Sequence, residues 1–238
     1  MRPSGVPPHS LPGASWSVVV PVLNEAAGLP GVLARLQPLR ELGVQVIVAD
    51  GGSTDASVQL AAQAGATVVH APRGRARQMN AGAQAASGQR LLFLHADTVL
   101  PDGALPALNA ALPSATAVAW GRFDVRISGR HPMLRVVAWF MNHRSRLTGI
   151  ATGDQGLFMT RAAWAAVGGF ADQPLMEDIE LSRRLKGLAR PVCLRLTVTT
   201  SGRRWEQRGL WPTIWLMWTL RWRYWRGADP AQLAELYR

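Results

Sequence analysis

A chain of 238 residues with 48% hydrophobic and 17% charged side chains is long enough to close one large α/β domain around a full core. Its single cysteine, Cys193, excludes an internal disulfide framework and any cysteine-rich metal centre, and fits a reducing compartment. The net charge of +11 sits in the second half: residues 120–238 carry 19 basic and 9 acidic side chains, residues 1–119 carry 7 and 6, so an anionic partner is expected there.

Residues 1–14 include Pro3, Pro7, Pro8 and Pro12 without an apolar core of signal-peptide length, and predict a flexible leader. Trp16–Val22 reads as a first strand, followed by Leu23-Asn24-Glu25 and a helix over Gly28–Leu42 that Gly43 ends. Gln45–Ala49 is a second strand closing on Asp50-Gly51-Gly52, and Ser53-Thr54-Asp55 supplies N-cap chemistry for a helix reaching Ala64. Thr67–His70 is a short strand, Gln78–Ala86 a helix stopped by Gly88, and Leu91–Leu94 a fourth strand running into His95-Ala96-Asp97. After Pro101 come a helix over Ala104–Ala111, strands around Ala117–Ile127 and Gly156–Thr160, an Arg-rich polar stretch, helices at Arg161–Val167 and Met176–Leu188, and a strand over Val192–Thr199. The last helix spans about Gly209–Trp225. Trp211, Trp215, Trp218, Trp222 and Trp225 recur on it at spacings of 4, 3, 4 and 3, so all five share one face, with Arg221, Arg223 and Arg226 at its end. Such a stripe packs on the domain, on a second copy in a homodimer, or on a membrane interface. No uncharged run reaches the length of a spanning helix.

Four strand–helix alternations in the first hundred residues predict a mostly parallel central sheet flanked by helices, with the amphipathic helix at the C-terminus. Three segments are expected: the leader 1–14, a single domain over 15–208, and a Trp/Arg-rich helical segment over 209–238. In open sheets of this kind ligands bind beyond the carboxyl ends of the strands, where Asp50 and Asp97 stand. No Gly-rich dinucleotide fingerprint and no Walker pattern follows the first strand, so dinucleotide binding loses its support.

Four segments carry chemistry together: Pro21 to Glu25, Asp50 to Asp55, His95-Ala96-Asp97, and Glu177-Asp178. With Gly74 to Gly82, Gly121 to Arg126 and Gly153-Asp154-Gln155, their wording resembles the family 2 glycosyltransferases of the GT-A fold, over Val18 to about Leu188. Within that family it is similar to a short subgroup named selenodomain-associated or arsenosugar-biosynthesis transferases. The resemblance implies that Pro21, Val22, Asn24, Glu25, Asp50 and Gly52 form a nucleotide pocket, with Asp50 holding the base or ribose through directed hydrogen bonds. Arg75 or Arg77 would lie near the base or phosphates, and Asn80 would help close the loop. Asp97 matches the last acid of the family's D-x-D motif and would bind Mn²⁺ or Mg²⁺ on the diphosphate of a nucleoside diphosphate sugar, a UDP-sugar. His95 replaces the first acid, and with Ala96 it would complete the donor site. Asp178 matches the catalytic base of an inverting transfer. Glu177, Asp154 and Gln155 would face the acceptor, a small molecule or a lipid-linked phosphate.

That reading implies a cytoplasmic enzyme, peripheral on the inner face of the membrane through residues 209–226. A sugar-phosphate nucleotidyltransferase is one alternative, but it needs a Gly-rich basic loop where Asn24-Glu25 stands. A non-catalytic membrane-surface or nucleic-acid binding protein is another. Nucleic acid would call for aromatics interleaved with the basic groups, and the tryptophan stripe fits lipid or protein burial better.

Overall fold

The computed structural model describes Gly13 and residues 15–237. Apart from Gly13, the leader expected over 1–14 lies outside the described residues. Eight strands, β1 (Trp16–Val22), β2 (Gln45–Asp50), β3 (Thr67–His70), β4 (Arg90–Phe93), β5 (Thr98–Val99), β6 (Trp120–Ser128), β7 (Leu157–Thr160) and β8 (Val192–Ser201), form one sheet in the order β3-β2-β1-β4-β7-β6-β8-β5. The sheet is mixed. β1 is parallel to β2 and β4, β3 to β2, and β8 to β6, whereas β7 runs antiparallel to both neighbours and β5 to β8.

Alternation along β1 explains the layering. Trp16, Val18, Val20 and Val22 point to one face and pack with Leu29, Val32, Leu33 and Leu36 of α1 (Leu29–Glu41), Ala61 of α2 (Ser57–Gln63), and Leu105 and Leu108 of α4 (Ala104–Ala111). Val19, with Ile47, Leu91 and Phe93, faces the other way onto Met79 and Ala83 of α3 (Arg75–Ala85), Ala163 of α6 (Arg161–Ala166), and Leu181 and Leu185 of α7 (Glu177–Leu188). A sheet buried on both faces needs the near-continuous apolar strands seen in the sequence.

Four elements fall outside the sequence expectations. α5 (Met133–Thr148) occupies the Arg-rich stretch, α8 (Arg203–Arg208) follows β8 directly, α10 (Pro230–Tyr237) follows the tryptophan helix, and β5 is a two-residue strand. α9 (Leu210–Trp225) forms as expected, but it turns its tryptophans outward. Leu210, Thr213 and Leu220 are its buried residues, and Leu220 joins Leu233 of α10 against Leu175 and Met176 just ahead of α7. Of the three placements open to the stripe, packing on its own domain is the one this arrangement removes, because the helix buries its aliphatic face instead. Among the described residues no helix is long and apolar enough to cross a membrane.

Candidate active site

Val22 and Asp50 are register partners at the ends of β1 and β2, so the loops that follow leave the sheet side by side. Asp50 is 2% exposed, and its carboxylate accepts the backbone N–H of Gly52 at 3.0 Å and of Ser53 at 3.1 Å. Burial pushes its pKa upward, but the bonds from Ser53 and Gly52 and from His70, 3.5 Å away, outweigh burial and hold it below the usual carboxylate value. The loop it fixes reaches back to the end of β1. Ser53 accepts the N–H of Asn24 at 2.9 Å, Ser57 accepts that of Glu25 at 2.9 Å, and Asn24 Oδ1 accepts the N–H of Thr54 at 2.8 Å. Beneath both loops the buried Gln78 amide donates to the carbonyls of Val22 at 2.6 Å and Ala49 at 3.0 Å. Pro21 is paired to Ala49 within the sheet, and Gly52 takes φ +90°, so the bend after Asp50 favours glycine.

Beyond β4, Ala96 is buried and Asp97 is exposed. His95 Nδ1 lies 3.2 Å from Asp154 Oδ1, while its Nε2 edge sits over Gly153, where a Cβ would come within 2.3 Å of it. Only glycine at 153 leaves the imidazole that position. Asp154 belongs to a 3-10 turn over Gly153–Gln155 whose backbone Gly153 N–H donates to Asp178 Oδ2 at 2.8 Å. Burial raises the Asp154 carboxyl, and the bond to His95 with the positive charge of Arg75 and Arg204 brings it below its ordinary value.

Glu177 and Asp178 open α7, and Met176 before them is held at φ +65°. Asn24, at φ +54°, is the other non-glycine residue with positive φ among the described residues, so both strained positions flank this cleft. Glu177 is buried and accepts from Arg75 at 3.3 Å. Asp178 is half-buried. Desolvation, then the neighbouring Glu177 charge, pushes its pKa up to about 6 against the opposing bonds from Gly153 and Ile179 N–H. Arg75 faces Glu177, Asp154 and Asp178 together, and their charge outweighs the effect of burial to raise its own pKa.

Two of the residues that complete this cluster are not evident in the sequence motifs. Arg203 of α8 lies 4.0 Å from Glu25. Burial raises the Glu25 carboxyl, Arg203 pulls it down, and Asp97 and Asp55 raise it again. Arg204 faces Asp154 and Asp97 and stacks on Tyr237 at 4.1 Å; burial, then repulsion from Arg75 and Arg208, lowers its pKa. The signal for them was positional: they follow the end of β8, as the other groups follow β1, β2 and β4. Behind Asp178, Arg144 of α5 feels its charge and keeps an unpartnered buried Nη2.

Other expected site residues lie elsewhere. Gln155 is wholly buried, bonded to Ser145 Oγ at 3.1 Å and to the Thr152 N–H at 3.2 Å. Arg77 is tied to Asp172 at 2.7 Å on the surface, and the Asn80 amide donates to the C=O of Phe170 at 2.8 Å and accepts its N–H at 2.9 Å. No three His, Cys, Asp or Glu side chains among the described residues could hold a metal by themselves. Mg²⁺ at a nucleotide site takes one or two carboxylates and completes its shell with phosphates and water, so the exposed Asp97 fits that donor set. A cavity of about 670 Å³ between α5 and α8 is lined by Arg130, His131, Leu134, Trp205, Glu206 and Leu210 and by none of the carboxylates named above.

The sequence model of Glycosyl transferase family 2 matches residues 17–167, which run from the second residue of β1 through β7 and hold the ends of all four leading strands. The chain belongs to that family. An uncharacterised glycosyltransferase of Mycobacterium tuberculosis is 34% identical over 142 residues, 57% of this chain and 63% of its own length. The match therefore spans less than two thirds of that relative. The undecaprenyl-phosphate 4-deoxy-4-formamido-L-arabinose transferase of Aeromonas hydrophila is 29% identical over 162 residues, 60% of this chain and 47% of its own length. Among solved structures, S. aureus TarS 1-349 in complex with UDP superposes with a TM-score of 0.63 at 16% identity, covering 78% of this chain and 60% of that one. Glucosyl-3-phosphoglycerate synthase from M. tuberculosis, in complex with Mn²⁺, UDP-glucose and phosphoglyceric acid, superposes at 0.57 with 24% identity over 83% and 76%. This family 2 glycosyltransferase thus has the GT-A α/β fold expected of it, with the sheet mixed.

Proposed function

We propose that this enzyme is an inverting transferase that moves a sugar from a UDP-sugar to an acceptor hydroxyl, with Asp178 as the base. The observation that carries the reading is Asp178 itself: a half-buried carboxylate at a helix start, pushed up to about 6, in one charged cluster with Asp154, Arg75 and, through Arg204, Asp97. A base poised near neutral pH removes a proton best. The acceptor oxygen bonds to the anomeric carbon as the bond to the diphosphate breaks, and the acceptor proton passes to Asp178. Glu177, turned inward to Arg75, raises the affinity of Asp178 for that proton and holds Arg75 in place.

Asp50 keeps the 51–55 loop in shape, and the lone pairs its backbone bonds leave free suit the nucleoside, with Asn24 and Glu25 forming the facing wall. Asp97 would hold a Mn²⁺ or Mg²⁺ ion against the donor diphosphate, and that ion neutralises the charge of the leaving group when bound. Arg75 and Arg204 add fixed positive charge to the same region. Asp154, hydrogen-bonded to His95 at the cleft, suits acceptor recognition, with His95 on the donor side. The UDP and UDP-glucose bound by structural neighbours support the donor class, and the undecaprenyl-phosphate in one relative's name supports a lipid-linked acceptor. The motif wording supports the short subgroup named above, and the placement of α8 and α9 supports a single domain to Arg208 with a helical C-terminal segment.

The test is UDP release from a panel of UDP-sugars with Mn²⁺, comparing the native chain with Asp97→Ala and Asp178→Asn. Turnover that survives in both variants overturns the mechanism.

A further inference from the structure

We infer that α9, with the neighbouring face of α5, is a docking surface for an anionic lipid bilayer, lying in the headgroup plane. Trp211, Trp215, Trp218, Trp222 and Trp225 are 68%, 72%, 71%, 57% and 81% exposed, while the opposite side of the helix is buried on the domain. Five indoles on one stripe form an apolar patch of the kind that marks an interaction site. α5 packs beside α9 through Leu134, Ala138 and Leu210, and it too exposes large aromatics, Trp139 and Phe140.

The chemistry of the two helices selects the occupant. Neither carries an acidic residue, and they contribute Arg135, Arg221 and Arg223, with Arg226 stacked over Trp222 at 5.2 Å. Indole rings partition to the boundary between headgroups and acyl chains, and arginines beside them attract anionic lipid. A second copy would instead set the same strongly basic half against itself. With 16 residues α9 is about 24 Å long, short of a bilayer core, so it lies on the membrane and does not span it. Its inner face bears on Met176, the residue before Glu177 and Asp178, so the docked helix stands directly behind the acids of the cleft. The inference goes beyond the proposed reaction and does not rest on it.

Co-sedimentation with vesicles tests it, using the full chain, vesicles of equal parts phosphatidylcholine and phosphatidylglycerol, and vesicles of phosphatidylcholine alone. The native chain should pellet with the anionic vesicles, with a blue shift of tryptophan emission, and high salt should weaken the binding. Trp211→Ala, Trp215→Ala and Trp218→Ala combined should lower partitioning by about tenfold or more while leaving the unfolding temperature unchanged, since these side chains touch no core. A native chain that stays in the supernatant, or a triple variant that pellets as well as the native chain, overturns the inference. So does a lipid-free dimer that the triple variant abolishes, which would assign the face to a second copy. Because vesicle binding is read without turnover, a failed UDP-release assay counts against the reaction alone.

Discussion

Two aspartates of the same cleft are driven in opposite directions, and each direction has a measurable consequence. Asp178, raised to about 6 by desolvation and Glu177, is uncharged in acid, so kcat/KM should fall about tenfold per pH unit below that value and level off above it. Asp178→Asn should lower kcat by about 100-fold or more and abolish that limb of the profile. Asp50 is the reverse case. Its pKa lies below the unfolded value, so it contributes stability above that value and loses it as pH falls through the folded pKa. Asp50→Asn should therefore cost about 1–3 kcal/mol at neutral pH, and the gap should close below about pH 4, as thermal melts across pH would read. Asp50, Asp97 and Asp178 were visible in the sequence because apolar runs or a helix start mark their positions. Arg203 and Arg204 were not, because β8 continues to Ser201 where the pattern stops at Thr199. The inward turn of Gln155 and the clasp of Asn80 on Phe170, 90 residues away, depend on partners that no local spacing reveals.

Among elements, α3 shows which force decides. Gly82 is inside this helix, where alanine would gain about 1 kcal/mol of propensity. Yet a Cβ there would lie 2.4 Å from Cγ1 of Val19, which is wholly buried in β1. Overpacking of that kind costs about 1–3 kcal/mol, so Gly82→Ala should destabilise the protein in urea titration and disturb the Gln78 bonds one turn earlier in the helix. The strands were legible as near-continuous apolar runs, and the helices between them by their single apolar face. α5 escaped notice for the converse reason: Val136, Trp139 and Phe140 on its outer side blur the period that Leu134, Ala138 and Ser145 keep on its inner side.

At the scale of the molecule, α9 and α10 act as a brace behind the base as well as an outward face. Leu220 is fully buried against Leu175, Met176 and Leu233, so Leu220→Ala should cost about 2–5 kcal/mol and slow turnover. Removal of 209–238 would uncover the same residues, which is why exposed tryptophans and not a truncation isolate the outer face. The positive second half was legible from composition, whereas the direction of the tryptophan stripe required knowing which side of α9 has aliphatic neighbours. The left-handed backbone at Asn24 and Met176 carries a further consequence for anyone breeding a hardier enzyme. Glycine at either position would ease the backbone, but at 24 it would also release the N–H of Thr54 from its acceptor, so what the turn gains in ease the loop facing it loses in order.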